Sequence, residues 1–499
     1  MSNKRTLLHG KFVIGFDGTQ HVVYEDGDVV YEGDEVIFVG HDYSGMYDEY
    51  WDVGLSIISP GFIDLEADID TDHANFDVAL FHKFPKAGST WEPNEKFRTR
   101  DPYTDEDFYI RQKYSMAQLI MNGITTAMPI AGEQFHGWGQ SYHEFEIMAQ
   151  TAKEMGIRAY LGPSFKSRAE RDRPDDPARE RESFDDAIRY CTQFNGANND
   201  RIRTFLNPCQ IAVTNTEILK KAMDEAKAMD MPMRLHACEE DIEWKYTLPR
   251  FGKTTIDLFE ELGLLNPRLL VPHALTVKDS ELKKLAANGV TVIHTPIAEI
   301  NYGAGLFSFA KYQSYGINLT IGTDAQPTDM IQNMRLAWDI DRLCECRILF
   351  SRYGEDSTIT DAFQLEQDYP KTSAAEIFNA VTINGAKALG RTDIGNLSVG
   401  AKADIIVVDL DDLSVGPYED PIRTLLVSCV GNNVKHTIID GITRMKDRVV
   451  IGIDEPALKK EAQRVFEKYL SLFQEYDAQG RPLSYFCPPS MPIYKRKIK

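Results

Sequence analysis

Hydrophobic residues along the chain fall into short continuous runs, separated by longer stretches in which apolar positions recur every three or four residues. The continuous runs cover 57–65, 124–130, 158–163, 204–211, 233–238, 269–273, 290–294 and 318–323. Most precede a stretch of helical spacing, and one such stretch, 217–229, leads into the run at 233. Runs that are apolar without alternation predict strands covered on both faces, the condition of a parallel sheet. Eight of them in alternation with helices predict an α/β fold: a (β/α)8 TIM-type barrel over 59–397. An open doubly wound sheet is the alternative, weakened because no Gly-rich phosphate-binding turn follows the first strand.

Both ends of the chain carry a different pattern. Val22-Val23-Tyr24, Val29-Val30-Tyr31 and Val36-Ile37-Phe38-Val39 are interrupted by Asp17-Gly18, Asp26-Gly27 and Glu32-Gly33, which predicts short strands joined by hairpin turns. The signal returns at 403–409 and 434–440, bounded by Gly400 and Gly441. Burying the two sets together calls for a composite β-sandwich domain from 1–58 and 398–450. The remaining C-terminal region, 451–499, is expected to hold an amphipathic helix at 455–477 and a Pro-rich tail. Two long interruptions remain. Residues 70–107 carry Phe76, Phe81, Trp91 and other aromatics suited to covering a site, and the densely charged 166–185 is expected on the surface.

Composition narrows the class. At 499 residues with 43% hydrophobic and 26% charged residues, the chain can bury a large core. A net charge of −21 argues against nucleic-acid binding, which needs a surplus of Lys and Arg. No apolar run approaches the ~18–20 residues of a membrane span, and the N-terminus lacks the apolar core of a signal peptide. Seven scattered cysteines do not suggest a disulfide framework in a chain this large. These features together lead to the expectation of a cytoplasmic protein.

Candidate chemistry sits where apolar strands end in polar residues, because barrel active sites form at the C-terminal ends of the strands. Glu66 and Asp68 follow the first strand, His236 and Glu239 the fifth, His273 the sixth, His294 the seventh and Asp324 the eighth. A single histidine at a strand end is commonly a hydrogen-bonded structural residue. Histidines at three consecutive strands followed by an aspartate form the pattern of a site. A divalent metal acidifies water and polarises an electrophile, and a neighbouring carboxylate can take up a proton and pass it on. Lys166, after the third strand, is expected to be an ordinary surface lysine.

Several segments in order resemble the amidohydrolase superfamily, in the branch of chlorotriazine hydrolases and guanine and cytosine deaminases. They are Pro60-Gly61-Phe62-Ile63-Asp64, His236-Ala237-Cys238-Glu239, Pro272-His273-Ala274, His294-Thr295-Pro296, Gly322-Thr323-Asp324 and Gly395-Asn396-Leu397-Ser398-Val399-Gly400. The resemblance covers nearly the whole chain. It implies that His236 is a metal ligand, that Asp324 is both ligand and base, that Glu239 carries a proton to the leaving nitrogen, and that His273 polarises the substrate or orients the nucleophile. His294 is expected to support the site without binding metal.

The segment 205–210 at the end of strand 4 has no lysine that could bridge two ions, so the resemblance implies one divalent metal per chain: zinc, iron or manganese. The implied activity is hydrolysis of a C–N bond, by deamination or by amide, urea or carbamate cleavage, in a small nitrogen-containing and possibly aromatic substrate. A homo-oligomer is also implied. The departure lies at Glu66 and Asp68, where the family has two histidines. Their carboxylates can substitute as harder ligands that favour manganese or iron, or His73, beyond Asp70 and Asp72, can supply a nitrogen. The contrasting expectation is a non-catalytic homologue that serves as a binding or scaffolding subunit.

Overall fold

The computed structural model describes residues 4–69, 103–130, 140–168, 174–239, 242–301, 303–306, 308–325, 327–353, 371–476, 480–486 and 488–494. The N-terminal segment forms β1 (Arg5–Phe16), β2 (His21–Glu32), β3 (Glu35–Gly40), β4 (Glu49–Asp52) and β5 (Ser56–Pro60). Then follow β6 (Phe62–Asp68), β7 (Ile124–Ile130), β8 (Arg158–Leu161), β9 (Ser164–Phe165), β10 (Ile202–Thr204), β11 (Asn207–Pro208), β12 (Met233–Arg234), β13 (Leu269–Pro272), β14 (Thr291–His294) and β15 (Asn318–Ile321). The chain returns through β16 (Ile405–Asp409), β17 (Val434–Ile439), β18 (Ile442–Lys446) and β19 (Val449–Val450).

Strands from both ends of the chain share one nine-stranded sheet, ordered β19-β18-β17-β16-β5-β1-β2-β3 with β4 beside β1. Two expectations for this region are corrected. Asp26-Gly27 lies inside β2 and does not turn the chain: β1 and β2 pair continuously around it, and Asp26 absorbs the irregularity at φ 52°. The apolar run 57–65 is two strands. It breaks at Gly61, so that Ser56–Pro60 pairs antiparallel with β16 while Phe62–Asp68 pairs parallel with β7.

The intervening strands form two four-stranded parallel sheets, β10-β8-β7-β6 and β12-β13-β14-β15. Single parallel bridges, Leu206 to Met233 and Ala67 to Asp324, join their outer strands. Ile63, Leu65, Met128, Tyr160, Phe205, Leu270 and Ile293 point inward from these strands into one buried cluster, with Ala386, Leu389 and Ile394 packed against it. The run 204–211 is likewise divided, into the end of β10 and the two-residue β11 that pairs with β9. Lys166, expected on the surface, is buried beside β9.

Gly322 follows β15 where this strand closes on β6. A β-carbon there would lie 2.9 Å from Glu66 Cβ and 3.1 Å from Asp64 Oδ1. Gly322→Ala is therefore expected to destabilise the fold by about 1–3 kcal/mol. A melting temperature unchanged from wild type would contradict that close approach.

Buried ion pairs tie the layers together. Arg158 on β8 donates Nε to Asp404 Oδ2 at 3.0 Å and Nη2 to Asp404 Oδ1 at 3.2 Å, and also contacts Asp440. The amphipathic helix Glu455–Tyr476 packs on the helix Asp105–Met121, whose Thr104/Asp107 capping box leaves Asp107 to accept from Arg464 at 3.1 Å and Lys468 at 2.5 Å. Among the described residues, no helix is long and apolar enough to cross a membrane. Cys191, Cys209, Cys238 and Cys429 are buried and form no disulfide among the described residues.

Candidate active site

The strand ends are where the backbone departs from ordinary geometry. Cys238, His273, Ala274 and Asp324 all adopt left-handed φ of 51–68° within four residues of the ends of β12, β13 and β15. Such conformations cost non-glycine residues on the order of 1–3 kcal/mol each and cluster at functional sites. Here they turn the side chains that follow the apolar strands toward a common space. Single bridges, Gln210 to His236 and Ala237 to His273, hold neighbouring strand ends in register.

Glu66, at the end of β6, is fully buried. Its Oε1 lies 3.0 Å from His236 Nε2, and its Oε2 lies 3.2 Å from Arg234 Nη1. Neither oxygen accepts a hydrogen bond of regular geometry. Burial acts to raise the Glu66 pKa, but the Arg234 guanidinium and His236 hold it below the usual carboxylate value. The carboxylate is an anion surrounded by cationic and imidazole nitrogens.

His273 is the second centre. Its Nε2 lies 3.9 Å from both Glu239 Oε1 and Asp324 Oδ2, and its Nδ1 lies 3.6 Å from Glu299 Oε1. Burial favours the neutral ring, yet Glu239, Glu299 and Asp324 together push its pKa to about 10. The Thr295 hydroxyl lies 3.2 Å from His273 Nδ1 and 3.3 Å from Asp324 Oδ2. Burial raises the Asp324 carboxyl to about 6 despite the opposing pull of His273. Glu239 is the most open of the group, with 29% of its side chain exposed, and Gln210 Nε2 donates to its Oε2 at 3.4 Å.

The structure thus brings together Glu66, His236, Glu239, His273 and Asp324. Asp68 ends β6, with only its backbone described, and His73 lies outside the described residues, as do the aromatics of 70–102. His294 Nδ1 faces Glu299 Oε2 at 2.9 Å.

Sequence reasoning assigned no role to four supporting residues. Arg234 could have been flagged, because a charged residue inside an apolar strand must be paired once buried. Glu299, in the short helix Pro296–Asn301, bridges His273 and His294 and accepts from the backbone N–H groups of Thr295 and Leu306. Thr295 links His273 to Asp324. Asp64, pushed by burial to about 7, accepts from the Glu66 N–H and from both the N–H and the hydroxyl of Thr323.

Parallel strands wound with helices, with carboxylates and imidazoles gathered at the strand ends, define an α/β enzyme of the TIM-barrel class. The amidohydrolase family profile matches residues 57–443. The chain therefore belongs to the amidohydrolase family and is a hydrolase of carbon–nitrogen bonds in small molecules. It is similar to a 5-methylthioadenosine/S-adenosylhomocysteine deaminase of Natronomonas pharaonis, 26% identical over 84% of this chain and 88% of the relative. Its fold is similar to that of an adenosine deaminase from Xanthomonas campestris with bound zinc, at a TM-score of 0.74 and 20% identity, covering 94% of this chain and 99% of that one. It is also similar to that of an atrazine chlorohydrolase from Arthrobacter aurescens complexed with zinc, at a TM-score of 0.73 and 19% identity, covering 92% and 99%.

Proposed function

We propose that the chain is a mononuclear, divalent-metal-dependent deaminase acting on an exocyclic amino group of a nitrogen heterocycle, with adenosine-type nucleosides as the first substrates to test. The observation that carries this reading is the convergence of Glu66, His236, Glu239, His273 and Asp324 at the ends of four strands. The deaminase names of the relatives support the choice of reaction. We further read the two parallel sheets, bridged at both outer pairs, as one closed (β/α)8 barrel over 59–397. The nine-stranded sheet then forms the small β-domain of 1–58 and 398–450, and 451–499 an appended helix and tail.

Glu66, His236 and Asp324 would hold the ion, with Asp68 and His73 as the further donors. The fit rests on the buried Glu66 carboxylate and on the 3.0 Å between its Oε1 and His236 Nε2. Donors ~2.1 Å from one ion stand about 3.0–3.4 Å apart. Zinc is the first candidate, since it occupies the related structures; iron and manganese follow from the harder oxygen ligands. When bound, such an ion polarises the electrophilic carbon and acidifies the attacking water.

The protein's own groups divide the proton work. Asp324 takes the proton of the attacking water at a carboxylate oxygen steadied by the Thr295 hydroxyl. The His273 imidazolium, held between Glu239 and Asp324, orients the nucleophile and the ring nitrogen. Glu239, at the open side of the site, carries the proton taken from the water on to the leaving amino group. Water adds, ammonia leaves, and the ring carbon ends as a carbonyl.

The test is metal content together with ammonia release from an adenosine-type panel and from amides and ureas. About one ion per chain and ammonia from the nucleosides are expected. Glu239→Gln is expected to lower kcat by about 10²–10⁴-fold with metal content unchanged; an unaltered kcat would remove Glu239 from the proton path.

A second reading, a non-catalytic binding homologue, draws on one observation. Among the described residues, no three His, Cys, Asp or Glu side chains are already grouped to hold an ion. It predicts metal-free protein without activity on any of these substrates.

A further inference from the structure

Arg234 and Glu66 form an ion pair in the interior, both side chains with 0% exposure. Arg234 starts on β12 and reaches the strands across from it. Its Nη1 donates to the carbonyls of Leu65 at 3.2 Å and Met128 at 3.0 Å, and its Nη2 to that of Pro129 at 2.8 Å. The Phe205 ring lies 4.7 Å from the guanidinium carbon. Carbonyls of β6 and β7 therefore fix the planar fork in one orientation. A guanidinium stays charged at every accessible pH and suits this kind of rigid, multi-donor position.

So held, Arg234 faces Glu66 Oε2 and leaves Oε1 turned to His236 Nε2. Its positive charge also cancels that of the carboxylate. Together the two side chains present one donor atom and no net charge, which is what a neutral imidazole would present at the same place.

We propose that Arg234 is a positioning residue that makes Glu66 a one-oxygen, charge-balanced donor toward the divalent ion. This rests on the metal-hydrolase reading above. Metal affinity should then follow the net charge of residues 66 and 234 taken together. Wild type and the double variant E66H/R234M are balanced, E66H carries an unmatched cation, and R234M carries an unmatched anion.

The full-length protein is stripped of metal and titrated with Zn²⁺ against a chromophoric chelator, and melting is followed with and without the ion. E66H is expected to bind zinc at least tenfold more weakly than wild type, and R234M at least tenfold more tightly. E66H/R234M and the charge-conserving R234K are expected to stay within about threefold of wild type. An arginine that only props the fold predicts weaker binding in R234M, and that result would overturn the proposal, as would wild-type affinity in E66H. Should R234M not fold, E66H, E66H/R234M and R234K still rank by charge and carry the test. Wild-type protein that takes up no zinc would refute the metal-hydrolase reading itself. Zinc uptake by wild type without the charge ranking would refute only the role given to Arg234.

Discussion

Asp324→Asn is expected to abolish measurable deamination, with a loss of about 10²–10⁴-fold from the missing proton acceptor alone. His236→Ala is expected to match it by a different route, releasing the ion. Asparagine keeps the shape of Asp324 and the contact with the Thr295 hydroxyl but cannot take a proton from water. In the metal-free protein burial raises the Asp324 carboxyl to about 6. His236 faces the only Glu66 oxygen not turned to Arg234, so its removal takes away one side of the donor pair. Metal analysis beside ammonia release separates the two variants: D324N is expected to retain part of its zinc, and H236A to lose nearly all of it. Activity surviving in both would end the mechanism.

Glu299→Gln is expected to produce the largest loss of stability near the site. Glu299 is buried between two histidines, and it accepts from the Thr295 and Leu306 N–H groups. Removing one partner of a buried ionic network typically costs about 3–5 kcal/mol. The pH dependence gives a sharper signature.

The folded His273 pKa, about 10, lies above the ~6.5 of an unfolded histidine. Its contribution to stability is fully present below pH ~6.5 and is lost as pH rises toward 10. The Glu299 carboxyl is held well below its usual value, because His294 and His273 outweigh the effect of burial. Its contribution is present above pH ~4.5 and is lost as pH falls. The stability difference between metal-free wild type and E299Q should thus be greatest between about pH 4.5 and 6.5 and shrink on both sides. A pH-independent difference measured by denaturant titration would show that the charges of Glu299 and His273 are not coupled.

Much of this molecule is written in local pattern. Unbroken apolar runs such as 124–130 announced strands covered on both faces, and β7 has those bounds. The polar residues that end these runs marked the candidate site, and the structure brings Glu66, His236, Glu239, His273 and Asp324 close together. Where the pattern misled, a longer-range partner decided. Nothing local shows that 57–65 must break at Gly61, because the two halves are claimed by different sheets, one by β16 and the other by β7. Asp26-Gly27 has the composition of a turn, yet continuous pairing with β1 carries the strand through it.

The candidate site divides in the same way. The sequence by itself singled out His236, Glu239, His273 and Asp324 as candidates, since each stands at or next to the end of an apolar run. It also showed that Glu66 stands where an imidazole was expected. Only the tertiary structure decided what accompanies that carboxylate: Arg234 lies 168 positions away along the chain (234 − 66) but 3.2 Å away in space. Likewise, the Glu299 bridge exists only because β13 and β14 lie side by side, so that one carboxylate reaches both histidines. Strand pattern depends on neighbours along the chain. Charge compensation inside a barrel depends on which strands face one another, and folding alone establishes that.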